Sequence, residues 1–386
     1  MVSTTAVMEN QFTEQFREFI KGENDSHLRA LREKAFKTFS ETGFPAVRSE
    51  DWKYTNTAPI AKEDWIAAAF RPDFSSETDE KSRQLLEAFN IERNGFAALN
   101  LSFAQFQIIR IPKETSLNKP IELSFETDTT AISCPHIVVI AEAGSKATLV
   151  ETYASPDKSF TNAAIQIVVE DNANLTHYRV QKESVEAFHV GTTEVKLAAG
   201  SRYDSTNINL GGAISRHDID LKFTAEGAET FVDGLYMLNG NQHSDTHSVI
   251  DHLAPNCTSH QTYKGVLNDR SRAVFNGKVF VRENARGTDA QQSNKNLLLS
   301  NEARVDTKPQ LEIFNDDVKC SHGATVGQLE EEELFYLLTR GLPDTLARNL
   351  LTYGFAEEII NKIGIDSIKN ELDSAVLNRL NAKLES

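Results

Sequence analysis

The chain opens in a helical rhythm. Phe12, Phe16, Phe19 and Ile20 recur at helical spacing, and Leu28, Leu31, Ala35, Phe36 and Phe39 continue the pattern. Thr42-Gly43-Phe44-Pro45 stops the second helix. RSEDWKYTNTAP (48–59) then reads as a loop. Its large aromatics, Trp52 and Tyr54, are expected to plug one domain onto the next; holding a ligand beside Arg48 and Lys53 is the alternative. Helical patterning runs to about residue 94.

From about residue 95 the period shortens to two. FQIIRIP, IELSFET, HIVVIAEA, KATLVETY, AAIQIVVE, LTHYRVQ, TTEVKLAA and RYDSTNINL are short β-rich runs parted by turn residues. The turns AGSK (143–146), DNAN (171–174), AGSR (199–202) and EGAE (226–229) recur about every 28 residues, each before a strand. A fixed period of that size signals a solenoid, and β-only units signal a parallel β-helix; a β-sandwich fits the regular spacing less well. About eight coils fit between residues 95 and 328.

Helical patterning returns at Leu329. Glu330 to Glu333 put acid at a helix start, and LFYLLTR follows. Pro343-Asp344 opens a second helix expected to end at Gly354, and FAEEIINKI a third, ending at Gly364. In the tail, Ile368, Leu372, Val376, Leu380 and Leu384 form one stripe. Packing on the chain's own core is its expected role, with a partner helix as the alternative.

The expectation is a mainly β chain: a right-handed parallel β-helix flanked by N-terminal and C-terminal α-helical domains, divided at 1–94, 95–328 and 329–386. Solenoid ends must be capped or paired. The flanking helices are the expected caps, and any side left uncapped is a docking surface for a second copy or a relative.

Composition narrows the partners. A net charge of −16 argues against nucleic acid and anionic membrane surfaces. The first residues lack the basic start and apolar core of a signal peptide, and no apolar run is long enough to span a membrane. Cys134, Cys257 and Cys320 are too scattered for a disulfide framework. A cytoplasmic protein with reduced thiols is expected.

The candidate chemistry begins at Cys320 and His322. Asn315-Asp316-Asp317 reads as a turn and residues 318–322 as a short strand, which puts both side chains on one face. A thiolate beside an imidazole suits a soft metal or an iron–sulfur centre, but two ligands cannot close a tetrahedral site. On the residues alone, a buried thiol beside a hydrogen-bonded histidine is the stronger reading.

His217, His243, His247, His252 and His260 gather near Asp245 and Asp251. His243, Asp245 and His247 would share one strand face, as a polar ladder or, less favoured, a metal site. Cys134 and Cys257 read as structural. No phosphate-binding G-x-x-x-x-G-K-[ST] loop, G-x-S-x-G elbow or G-x-G-x-x-G fingerprint occurs.

Residues 307–341, TKPQLEIFNDDVKCSHGATVGQLEEEELFYLLTRG, resemble the SufB/SufD family of iron–sulfur cluster assembly proteins. So do RSEDWKYTNTAPI (48–60), HIVVIAEAGSKATLVETY (136–153), SHQTYKGVLNDRSRAVFNGKVFV (259–281) and RGTDAQQSNKNLLLS (286–300). Gly323 in CSHGAT looks SufD-like rather than SufB-like.

The resemblance implies the β-helix and a non-catalytic scaffold subunit of the SUF system. It implies pairing with a SufB-like subunit through the β-helix, and a SufC-like ABC ATPase bound by the C-terminal helices. His322 would face a SufB cysteine across the interface, and Cys320 matches the motif cysteine. Together they would help hold a nascent iron–sulfur cluster, transient and shared with the partner; no cofactor is expected in the isolated chain. A homodimer of the isolated chain is a further expectation, and nothing in the sequence marks a flavin site. The rival classes are a stand-alone β-helical metalloprotein using the 243–260 histidines and a carbohydrate-active β-helical enzyme.

Overall fold

The structure, a computed structural model, describes residues 4–67 and 79–379. Two parallel sheets, one of ten strands and one of eight, stack face to face into a β-solenoid of about eight turns. From Lys146 onward each coil gives one strand to each sheet. In the eight-stranded sheet Lys146 pairs with Asn174, Asn174 with Arg202 and Arg202 with Glu229. In the ten-stranded sheet Phe160 pairs with Phe188, Phe188 with Ile214 and Ile214 with His243. The steps (146 to 174, 174 to 202) reproduce the 28-residue turn spacing.

A recurring corner sets that spacing. Glu114, Gly144, Asn172, Gly200, Gly227, Asn256 and Gly287 all have positive φ, between 54° and 73°. Each donates its N–H to the next coil: Gly144 to Asp171, Asn172 to Ala199, Gly200 to Glu226, Gly227 to Pro255, Asn256 to Arg286 and Gly287 to Asp317. Left-handed backbone favours Gly and Asn, which is why the turn motifs carry them. At Gly200 a Cβ would also stand 2.6 Å from the Asn172 amide oxygen, so a side chain there would have to displace that amide.

Strand alternation separates two environments. Inward-facing Ile137, Val139, Leu149, Ile165, Ile167, Val195, Leu221, Val279 and Val281 fill the solenoid. Outward-facing residues meet the helices. Among the described residues five N-terminal α-helices, α1 (Thr4–Phe19), α2 (Ser26–Thr42), α3 (Ala58–Ala61), α4 (Glu80–Glu87) and α5 (Gly95–Phe103), lie on the ten-stranded side. Asp25, Asp79 and Asn94 cap α2, α4 and α5. Phe12, Phe16, Phe39, Phe96 and Phe103 pack with Val138, Ile140, Ala164, Val190 and Ile214 of that sheet.

Three C-terminal helices, α6 (Glu331–Thr339), α7 (Asp344–Ile360) and α8 (Asp366–Arg379), lie on the other side. Ala356, Ile359, Ile360, Ile363, Leu372 and Val376 cover Val150, Tyr178, Val180, Ile208, Leu235 and Val266. Buried Lys264 reinforces this contact by donating to the Phe355 carbonyl at 3.0 Å and pairing with Glu358; Lys362 reaches Asp233 at 2.7 Å.

Four details depart from the sequence expectations or refine them. The helices cover the outer faces of the sheets rather than capping solenoid ends, because the apolar stripes they must bury lie on those faces. The helical run continues past residue 94 through α5, and the two-residue strand Ile66–Ala67 joins the ten-stranded sheet beside Ala131. Helix α7 runs through Gly354 without a break. Gly354 is exposed and costs about 1 kcal/mol relative to Ala, which the packing of Ala356, Ile359 and Ile360 outweighs. The tail stripe packs on the chain's own core at Leu372 and Val376; Leu380 and Leu384 lie outside the described residues.

The loop 48–59 does plug the N-terminal domain onto the sheet. Trp52 is buried with the Arg216 guanidinium 4.0 Å above its ring. Arg216 donates to the Asp51 carbonyl at 2.6 Å and to Asp218 and Asp245 at 2.8 Å. Burial works against both carboxylates, but Arg216 holds them below the usual range. Removing it would strand two buried charges. Arg216→Ala should therefore cost about 3–5 kcal/mol of stability. Urea denaturation would show it, and a loss below about 1 kcal/mol would contradict this role for Arg216.

The solenoid interior also holds polar groups. His177 contacts Glu151 and Tyr203, each at 2.8 Å, and Tyr153 donates to Glu151 at 2.6 Å. Arg179 donates to His189 Nε2, so the ring proton sits on Nδ1 and is donated to Glu183 at 2.9 Å. Burial lowers the pKa of His136 and His252 to about 4 and that of His217 well below the ordinary value. Unfolded histidines titrate near 6.5, so between about pH 6.5 and 4 the unfolded chain binds protons that the folded chain refuses. Stability should fall through that window as pH drops, by up to about 3 kcal/mol for each of His136 and His252. Urea midpoints measured from pH 7 to 4.5 should decline steadily; a flat profile would count against neutral burial of these rings.

Candidate functional site

The strands Arg304–Ile313 and Val318–Gly327 end the two sheets. Each pairs on one side only, with Arg272–Val281 and Thr288–Leu298 respectively. No further strand follows either among the described residues, so their outer edges carry free backbone donors and acceptors. Almost every residue of the last strand is exposed. Ile313, Phe314 and Val326 add large exposed apolar side chains at this end.

Cys320 and His322 sit on that last strand, on one face as the spacing predicts. Cys320 pairs in register with Ala290, and His322 with Gln292. Ala290 and Gln292 are buried inside the solenoid, so the shared face is the inner one. Cys320 packs against the last of the apolar core and is half-buried, whereas His322, two residues on, is exposed. A thiol and an imidazole thus stand at the mouth of the open end. Burial pushes the Cys320 thiol above its ordinary pKa. Gly323, on the opposite face, has open space around its Cβ position.

As an iron site this pair fits in donor type and falls short in number. Among the described residues no three His, Cys, Asp or Glu side chains converge well enough to hold a metal ion. Further ligands have to come from outside the pair.

The other histidines do not converge. His243, Asp245 and His247 share one outer face as expected, but that face is occupied. Thr55 contacts His243 Nε2 at 2.8 Å and donates to Asp245 at 2.5 Å, and His247 stands 3.1 Å from Asp245. This is the polar ladder, turned to holding the 48–59 loop. His217 and His252 face inward, onto Thr193 and Ser259. His260 lies across the other sheet, 3.6 Å from Asp289. Cys134 and Cys257 are buried, with Cys257 Sγ donating to carbonyls at 3.4 Å.

Sequence reading missed the interior Glu151–His177 and Glu183–His189 pairs. The signal was present in LTHYRVQ, where His177, Arg179 and Gln181 alternate along one strand.

Fold and site define a helix-flanked parallel β-solenoid whose C-terminal end is unpaired among the described residues and bears a thiol and an imidazole. A family model described as the SUF system FeS cluster assembly SufBD core domain matches residues 124–355, and one for the SufBD N-terminal region matches residues 6–90. The chain belongs to the SufBD family of the SUF iron–sulfur cluster assembly system. It is 33% identical to an iron–sulfur cluster assembly SufBD family protein of Synechocystis over 92% of each chain. It is 30% identical to the iron–sulfur cluster assembly protein SufD of Escherichia coli, over 88% of this chain and 90% of that one. The SufD of Bacillus subtilis is 29% identical over 69% of this chain. No described helix is long and apolar enough to cross a membrane.

Thiol chemistry tests the placement of Cys320. With Cys134 and Cys257 buried, one thiol per native chain should react with a maleimide at pH 7.5, more slowly than free cysteine because its pKa is raised. Peptide mass spectrometry should place the label on Cys320, and all three thiols should react in urea. Native labelling at Cys134 or Cys257 would contradict the packing.

Proposed function

We propose that this protein is a scaffold subunit on which iron–sulfur clusters are assembled, working in the cytoplasm. It pairs through the open end of its solenoid with a SufB-like subunit. His322 and Cys320 then contribute ligands to a nascent cluster whose remaining ligands lie on the partner. The observation that carries this is the position of Cys320 and His322 on the inner face of an edge strand that, among the described residues, has no neighbour on its outer side. A solenoid docked end to end would lay its own last strand about 4.8 Å from this one, within reach of both side chains.

The pair suits cargo rather than a resident metal. Iron must displace a proton from Cys320 to gain a thiolate, whereas the imidazole of His322 coordinates through a neutral nitrogen. Parting the two chains removes half the ligands at once, which releases the cluster. In the isolated chain the same edge makes a homodimer the alternative partner.

ATP hydrolysis falls to a SufC-like ATPase docked on the C-terminal helices. What supports this is the helical surface: Phe335 is 68% exposed and Tyr336 56%, with Leu338, Leu346 and Leu350 beside them. The chain's own packing leaves these large apolar side chains of α6 and α7 uncovered, as a docking surface would.

Co-purification of this chain with its SufB-like and SufC-like partners, wild type against His322→Ala, tests the assignment. The variant should still form the complex, because His322 is exposed and makes no core contact. Iron–sulfur reconstitution should fall at least tenfold. Undiminished reconstitution would remove His322 from the site, and failure of the wild-type chain to bind either partner would overturn the scaffold role.

A further inference from the structure

The 48–59 loop reaches farther than its anchoring requires. Trp52 and Thr55 fix it over the strands Ile214–Phe223 and His243–His252. Tyr54 lies over Arg272, one strand nearer the open end, and Arg272 pairs with Asp306 on the terminal strand at 2.6 Å. Glu50 reaches the terminal strand itself, 3.8 Å from Lys308. Its carboxylate is 72% exposed, and Lys53 contacts it from behind at 2.6 Å. The loop therefore carries an acidic side chain from the N-terminal domain to the outer face of the last rung.

We infer that this loop is part of the docking surface, with Glu50 meeting a basic side chain on the outer face of the strand that a SufB-like partner adds to Arg304–Ile313. The inference rests on the end-to-end pairing proposed above. A strand added there lies about 4.8 Å beyond the terminal strand, a step that a long outward Lys or Arg side chain spans toward Glu50. Two features of the edge call for such a supplement. Pro309 has no N–H to give to a ladder. The charged outward residues of the strand, Arg304, Asp306, Lys308 and Glu312, alternate in sign about the neutral Gln310, so pairing has to be matched in register as well as in backbone geometry. Arg304 and Lys308 repel a basic partner residue, whereas Glu50 attracts one.

The test is a binding titration of the full-length chain against its SufB-like partner, comparing wild type, Glu50→Lys, Glu50→Gln and Glu122→Lys. Glu122 is exposed on Ile121–Glu126, the strand that ends the eight-stranded sheet at the opposite end of the solenoid. Its reversal makes the same change in net charge far from the docking edge. Glu50→Lys should raise Kd about tenfold and Glu50→Gln about threefold, mainly through slower association, with the gap narrowing at high salt. Glu122→Lys should bind as wild type. Thermal midpoints within 2 °C or so of wild type would confirm intact folding of the Glu50 variants. Unchanged binding by Glu50→Lys, or an equal loss in Glu122→Lys, would overturn the inference while leaving the paired scaffold in place. A wild-type chain that does not bind the partner would overturn both.

Discussion

The structure depends on one constraint: every coil must have its backbone hydrogen bonds completed by the next. The positive-φ corners show it most plainly, since from Glu114 to Gly287 each donates to a carbonyl one coil further on. Such a stack has no internal reason to stop. It can end only where a coil finds no successor, and its last coil is then unsatisfied by construction. The terminal strands Arg304–Ile313 and Val318–Gly327 are that coil, and the sequence places Cys320 and His322 there. Reactive groups and the unpaired edge thus coincide.

The flanking helices follow from the same geometry. A two-sheet solenoid hides one face of each strand and exposes the other, so outward apolar residues such as Val138, Ile140, Val180 and Ile208 need cover along the length of the stack. Helices laid on both flanks supply it and leave the end free. The attachments differ in kind. The N-terminal domain is keyed by an aromatic and cationic joint, Trp52 against Arg216, with the guanidinium compensated by two carboxylates. The C-terminal helices are held by aliphatic packing with lysine bridges at its rim.

Much of this was legible in the amino-acid order. The 28-residue recurrence was visible because corners at Gly144, Asn172, Gly200 and Gly227 demand residue types that tolerate left-handed backbone. Alternation put Cys320 and His322 on one face. It could not say which face, because the answer lies in the pairing with Ala290 and Gln292, some 30 positions back (290 to 320, 292 to 322). The run of five histidines was misleading for a related reason. Neighbours along a strand point to opposite sides and successive strands belong to different sheets, so nearness in sequence disperses them over three surfaces. The flank position of the helices was hidden too, since an amphipathic stripe records that a face is buried and not what buries it.

An edge is a poor place to store a metal and a good place to build one up. A cluster held by four ligands of one rigid coil would be released only by breaking several strong bonds at once, with no hinge to divide the task. In the proposed scaffold, two donors on a free strand would bind weakly alone, so little iron would be retained before a partner supplied a second set. The strength of the completed site would then be tied to the strand pairing that brings that set. Cys320 is anchored by the last of the core, which fixes its thiol, while His322 stands clear at the mouth. In the scaffold proposed above, one donor would thus be set by the fold and the other left free to adjust to whatever a second chain presents. That division follows from a strand passing out of an apolar interior within three residues.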